Sequence, residues 1–179
     1  MLGYRIYELM LMFAVYAMVG RGLENLFWTA LAGGEGRRGI VRGPFGVLTG
    51  LGGVLGAAVL MPQIQSPYVQ LAAFAAGAIV LDLVGMGIVR VLSGQDFWKF
   101  NGLAAIGAGI AGFAVVEALQ PFVLLLAAKL PPVILWAALL AFWIPCWGQT
   151  VEAAARLLAV KKGKDPLPAW KQAYPNAGL

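Results

Sequence analysis

The chain has 179 residues, 61% of them hydrophobic and 12% charged, with a mean hydropathy of +0.82; an ordinary soluble domain carries about 25% charged residues. Thirteen Lys and Arg against eight Asp and Glu give a net charge of +5, with no histidine and a single cysteine, Cys146. These counts exclude an internal disulfide, and they remove the commonest metal ligand and physiological acid–base group, so zinc chemistry, His-based triads and a resident cofactor are not expected.

The first hydrophobic run, Leu9 to Leu31, lacks the marks of a secretory signal: Arg5 is offset by Glu8, and no small-x-small cleavage site follows. It is expected to stay in the mature protein. Tyr16, Gly20 and Glu24 recur at four-residue spacing and share one face of this helix. Arg21 and Glu24, three apart, can neutralise each other.

A basic connection, RGIVRGPFG, leads to the second run, Phe45 to Met61. This run is short and glycine-rich, so it either spans the membrane, tilts, or re-enters. Gly43 and Pro44 stand at its start, where a proline suits the first helical turn. With Arg38 and Arg42 beside them, the free N–H groups of that turn form an anion site for a lipid phosphate or acidic substrate, or else a capped start flanked by topology-setting arginines. Gly46 with Gly50, and Gly52 with Gly56, are two GxxxG surfaces for close helix packing.

The third run, Val69 to Leu92, contains Asp82, which has no oppositely charged neighbour one turn away and must meet an arginine of another helix or be neutralised. The fourth, Leu103 to Leu126, contains Glu117. In the fifth, Val133 to Val160, Glu152 and Arg156 are four apart and can pair; Pro145 lies inside it, next to Cys146, a buried inert thiol. Trp28, Trp98 and Trp136 fall near the predicted interfaces as anchors. At about 1.5 Å per residue, Glu24, Asp82 and Glu152 fall in one half of the membrane and Glu117 in the other. Arg21, Glu24, Asp82, Glu117, Glu152 and Arg156 are costly in lipid. They read either as a polar cavity or proton relay, or as interhelical ion pairs that fix the bundle.

Together these runs predict an all-α integral membrane bundle of about five spans over residues 1–160, followed by a short basic tail over 161–179. One side collects Arg37, Arg38, Arg42, Lys99, Lys161, Lys162, Lys164 and Lys171, and the other Arg5 and Lys129. By the positive-inside rule the N-terminus lies outside and the C-terminus in the cytoplasm. The basic residues therefore read as topology signals and headgroup contacts, with membrane lipids and not nucleic acid as the partner.

The runs FAVYAMVGRGLEN and RGIVRGPFGVLTGLG, together with LDLVGMGIVRVLSGQDFWKFNG, resemble the CmpB-type ABC-transporter membrane proteins, which are bacterial and multi-spanning. Tyr16, Gly20 and Glu24 match the family's first motif; Arg38, Gly39, Gly43, Pro44, Gly50 and Gly52 match its second. Asp82, Trp98, Asn101 and Gly102 correspond to its acidic third helix, aromatic loop and Asn-Gly. Val47 and Thr49 depart from the family's Pro and Tyr. The resemblance implies a multi-pass protein of the bacterial inner membrane, associated with transport. No G-x-x-x-x-G-K-[ST] segment is present, so ATP hydrolysis would fall to a separate ATPase. Other membrane subunits or a homo-oligomer complete that picture. The alternative is a lipid-binding or scaffolding subunit that transports nothing. No nucleophile and base can be paired from the sequence, so an enzyme is not expected.

Overall fold

A computed structural model describes residues 4–31, 46–94 and 102–163, with the backbone alone in 24–31. Among the described residues five helices follow one another: α1 (Ile6–Leu31), α2 (Val47–Gln63), α3 (Pro67–Ser93), α4 (Gly102–Lys129) and α5 (Pro132–Lys161). Four of them, α1, α3, α4 and α5, are long and apolar enough to cross a membrane, and α2 is shorter. The protein is thus a helical bundle built as a multi-pass membrane protein, and each helix coincides with one hydrophobic run of the sequence.

Local chemistry sets the helix ends. At α1, the Glu8 carboxylate accepts the backbone N–H of Arg5 at 2.7 Å, satisfying one of the donors that a helix start leaves open. Prolines open α3 and α5, where their missing N–H has no intrahelical role. Gly94 closes α3 in the left-handed region (φ 72°), and its N–H reaches the Arg90 carbonyl at 2.8 Å.

The short α2 changes character along its length. An α-helical stretch, Val47–Leu55, passes into a π-helical turn, Gly56–Leu60, and ends with Met61–Gln63. Pro62 carries no N–H for the ladder, and the last carbonyls of a helix have no intrahelical donor. Gln70 of α3 supplies the missing donor: its Nε2 donates to the Ile64 carbonyl at 2.6 Å and to that of Met61 at 3.3 Å.

α2 packs between α1 and α3. One glycine row faces α1: a Cβ on Gly50 would lie 2.9 Å from Ala17 Cβ and 3.0 Å from the Phe13 carbonyl oxygen, and one on Gly53 would lie 2.6 Å from the Tyr16 ring. The approach is close enough for the Gly46 N–H to donate across helices to the Ala17 carbonyl at 3.1 Å. The other row faces α3, with Gly52 against Leu81 and Gly56 against Phe74. These pairings run α1, α2 and α3 antiparallel in turn. α3 meets α4 through Gly109, whose Cβ would fall 2.6 Å from Ala75 Cα, and through an edge-to-face pair of Phe74 and Phe113 at 5.4 Å.

Between the helices the core is apolar: Met12, Tyr16, Ala57, Phe74, Val116 and Leu139 are among its buried members. α5 closes the bundle by stacking Trp143 on Phe13 of α1, ring centroids 4.7 Å apart. At its other end the Lys161 ammonium donates to the Val91 carbonyl of α3 at 3.0 Å.

Candidate functional site

Among the described residues, the ionisable groups of the spans do not gather in one interior cluster. Arg21 and Asp82 are half-buried, and each takes part in a polar or electrostatic contact. Asp82 is therefore engaged, as its place in an apolar helix requires. Glu152 and Arg156 form the ion pair that their four-residue spacing predicts, on the outer face of α5; their side chains retain 49% and 30% exposure. Glu117 is exposed on the outer face of α4 and has no hydrogen-bond or ion-pair partner among the described residues. So one charged group and one charged pair point away from the core, while Arg21 and Asp82 lie partly within it. The side chain of Glu24 lies outside the described residues, although its backbone continues α1.

The motif positions that can be placed are points of helix contact. Tyr16 is 2% exposed and lies over Gly53, and Gly20 faces Thr49, whose Cγ2 would stand 2.5 Å from an added Cβ. Gly50 faces α1 and Gly52 faces α3. Two steps of the four-residue stripe on α1, Tyr16 and Gly20, thus serve the seam with α2. The Tyr16 hydroxyl has no hydrogen-bond partner among the described residues, an unusual state for a buried polar atom. Gly102 is the first residue of α4. The proposed anion site, Arg38, Gly39, Arg42, Gly43 and Pro44, lies outside the described residues, as do Trp98 and Asn101.

Three polar contacts had escaped the sequence reading. Gln120 of α4 donates through Nε2 to the Tyr4 hydroxyl at 2.7 Å, tying the start of α1 to α4; a glutamine in an otherwise apolar run was the available signal. Gln70 caps α2, and Lys161 reaches the backbone of α3, as already described. In both cases the acceptor is a backbone carbonyl, which leaves no trace in the sequence. The aromatic residues Trp143 and Trp147 stack on each other with centroids 6.2 Å apart, continuing the contact with Phe13.

Beside α4 runs a groove of about 380 Å³, lined by Val15, Leu119, Phe122, Val123, Leu126 and Lys129 among others. Its walls are apolar apart from the Lys129 ammonium, so chemically it suits an acyl chain or an apolar helix face and offers nothing to a soluble polar substrate. No family model, curated protein or solved structure matches the chain.

Proposed function

We propose that this chain is a membrane-embedded subunit of a transport-associated assembly, permease-like and dependent on a separate ATPase. One observation carries the subunit reading: Glu117 and the Glu152–Arg156 pair face outward from two helices whose outer surface is otherwise apolar apart from the end residues Lys129 and Lys161. Charged side chains at bilayer depth belong against protein or water, not acyl chains. A second membrane protein on these faces gives them that setting. The apolar core supports the same reading, because a polar route would then run along the contact between subunits and not through this chain alone. Transport itself is supported by the resemblance of the Tyr16 and Arg38–Gly52 motifs to CmpB-type proteins, which also suggests the bacterial inner membrane.

Solubilisation of native membranes in a mild detergent, followed by native mass spectrometry, tests the assembly. The expected result is a complex heavier than the 18.9 kDa chain that includes another membrane protein and an ATPase. A chain that runs alone with bound lipid overturns the reading. The orientation is tested separately: a reporter fused after Leu179 is expected to be active only in the cytoplasm, following the Lys and Arg asymmetry.

A second reading, a lipid-binding or scaffolding subunit without transport, is favoured by the use of Tyr16, Gly20, Gly50 and Gly52 in helix packing. An assembly that forms normally, in cells whose uptake is unchanged by deletion of the chain, selects it.

A further inference from the structure

Glu117 is the sixteenth of the 28 residues of α4. At about 1.5 Å per residue it stands roughly 22 Å from Gly102 and 18 Å from Lys129, so both ends lie beyond the half-thickness of a hydrocarbon core of about 30 Å. It occupies a stripe at three- and four-residue spacing, with Leu103, Ile106, Ile110, Ala114 and Pro121, in which every member is exposed. This is a helix face with one carboxyl at mid-depth and otherwise apolar side chains.

We infer that this face of α4 docks a transmembrane helix of a different membrane protein, one that carries a lysine or arginine at bilayer mid-depth to meet Glu117. The inference rests on the subunit reading above and adds the chemistry of the partner. Charge complementarity sets that chemistry: an acid at mid-bilayer calls for a cation at the same depth, because side chains there cannot reach the headgroups. A second copy of this chain does not supply it. Side-by-side copies keep each residue at its own depth, so a symmetric contact through this stripe sets Glu117 against Glu117. A head-to-tail contact fares no better, because the exposed residues at that level on the other helices, such as Val80, Leu83, Ile144 and Trp147, are uncharged. Among the described residues, Arg5, Arg90, Lys129, Lys161 and Lys162 lie at helix ends, Arg156 is held by Glu152, and Arg21 is already engaged.

The test places the photo-crosslinker p-benzoylphenylalanine at Ala114 in the full chain, expressed at native level, and irradiates intact membranes. The expected product is an adduct with another membrane protein, whose cross-linked peptide is a transmembrane segment carrying Lys or Arg within about one helical turn of the attachment point. Glu117→Lys should then lower adduct yield about tenfold, equivalent to about 1.4 kcal/mol, and reversing the partner's cation to Glu should restore it. If Glu117→Lys does not insert, Glu117→Gln serves in its place, with a smaller loss of yield expected. An adduct with a second copy, with lipid only, or with a segment lacking a cation overturns the inference, as does a yield unchanged in the Glu117 variant. A chain that also runs alone in native mass spectrometry removes the subunit reading itself. A chain found in a larger complex, yet giving no Ala114 adduct, removes this inference only.

Discussion

α2 and α4 use their surfaces in opposite ways. α2 is short and presents glycines on two sides, each seated against a neighbour closely enough that a single added carbon would collide with it. α4 is long and turns a stripe outward, with a carboxyl at its middle that has no partner among the described residues. A helix spent mostly on internal contacts, with Leu51 and Leu55 left exposed, fixes the bundle. A helix that keeps a face free, at the cost of exposing a charged group, leaves a surface for something else. α4 also packs internally, through Gly109 against α3 and Gln120 against Tyr4, so its outward face comes in addition to a structural role.

The contrast is broken most severely at Gly50. Gly50→Val should misassemble the bundle or destabilise it by at least the roughly 1–3 kcal/mol typical of overpacking, because the obstructing atoms include the Phe13 carbonyl, which no rotamer change can move. Thermal unfolding in detergent reads the effect, and an unchanged melting temperature would mean that α1 and α2 are not in contact there. Gln120→Leu comes next. It removes the donor that holds Tyr4 and should cost roughly 0.6 kcal/mol, the average for a hydrogen bond within a membrane protein; adding Tyr4→Phe should cost little more, since the partner is already lost.

Two substitutions sharpen the comparison by doing little. Tyr16→Phe should be neutral or slightly stabilising, because the hydroxyl that it deletes is buried and has no partner among the described residues. A clear loss of melting temperature would show that the hydroxyl is used. Gly148→Ala on the outer face of α5 should be the mildest, neutral or stabilising by up to about 1 kcal/mol from helix propensity. Nothing lies within 4 Å of the added carbon. If Gly148→Ala proves as harmful as Gly50→Val in native membranes but not in detergent, a partner covers that face.

Much of the architecture was legible beforehand because bilayer physics writes itself into composition. Apolar runs long enough to span, with prolines at Pro67 and Pro132 and a glycine at Gly94, mark helices and their ends without any knowledge of neighbours. The Glu152–Arg156 pair was legible for the same reason, since both partners lie on one helix and spacing alone decides it. Even the GxxxG rows announced close packing, though not against what.

Which helix each row meets was decided only in three dimensions. Gly46 with Gly50 and Gly52 with Gly56 look alike in the sequence, yet they point to different neighbours, because six residues along a helix set the two faces about 120° apart. Likewise, Asp82, Glu117 and Glu152 are each the single acid of an apolar run. Their fates separate because α3 turns Asp82 partly inward while α4 and α5 turn Glu117 and Glu152 outward. Hydrophobic length determines that a segment crosses the membrane. Helices that are apolar on every side carry no amphipathic signal of their rotation, so the choice between core and outer surface rests on tertiary packing alone.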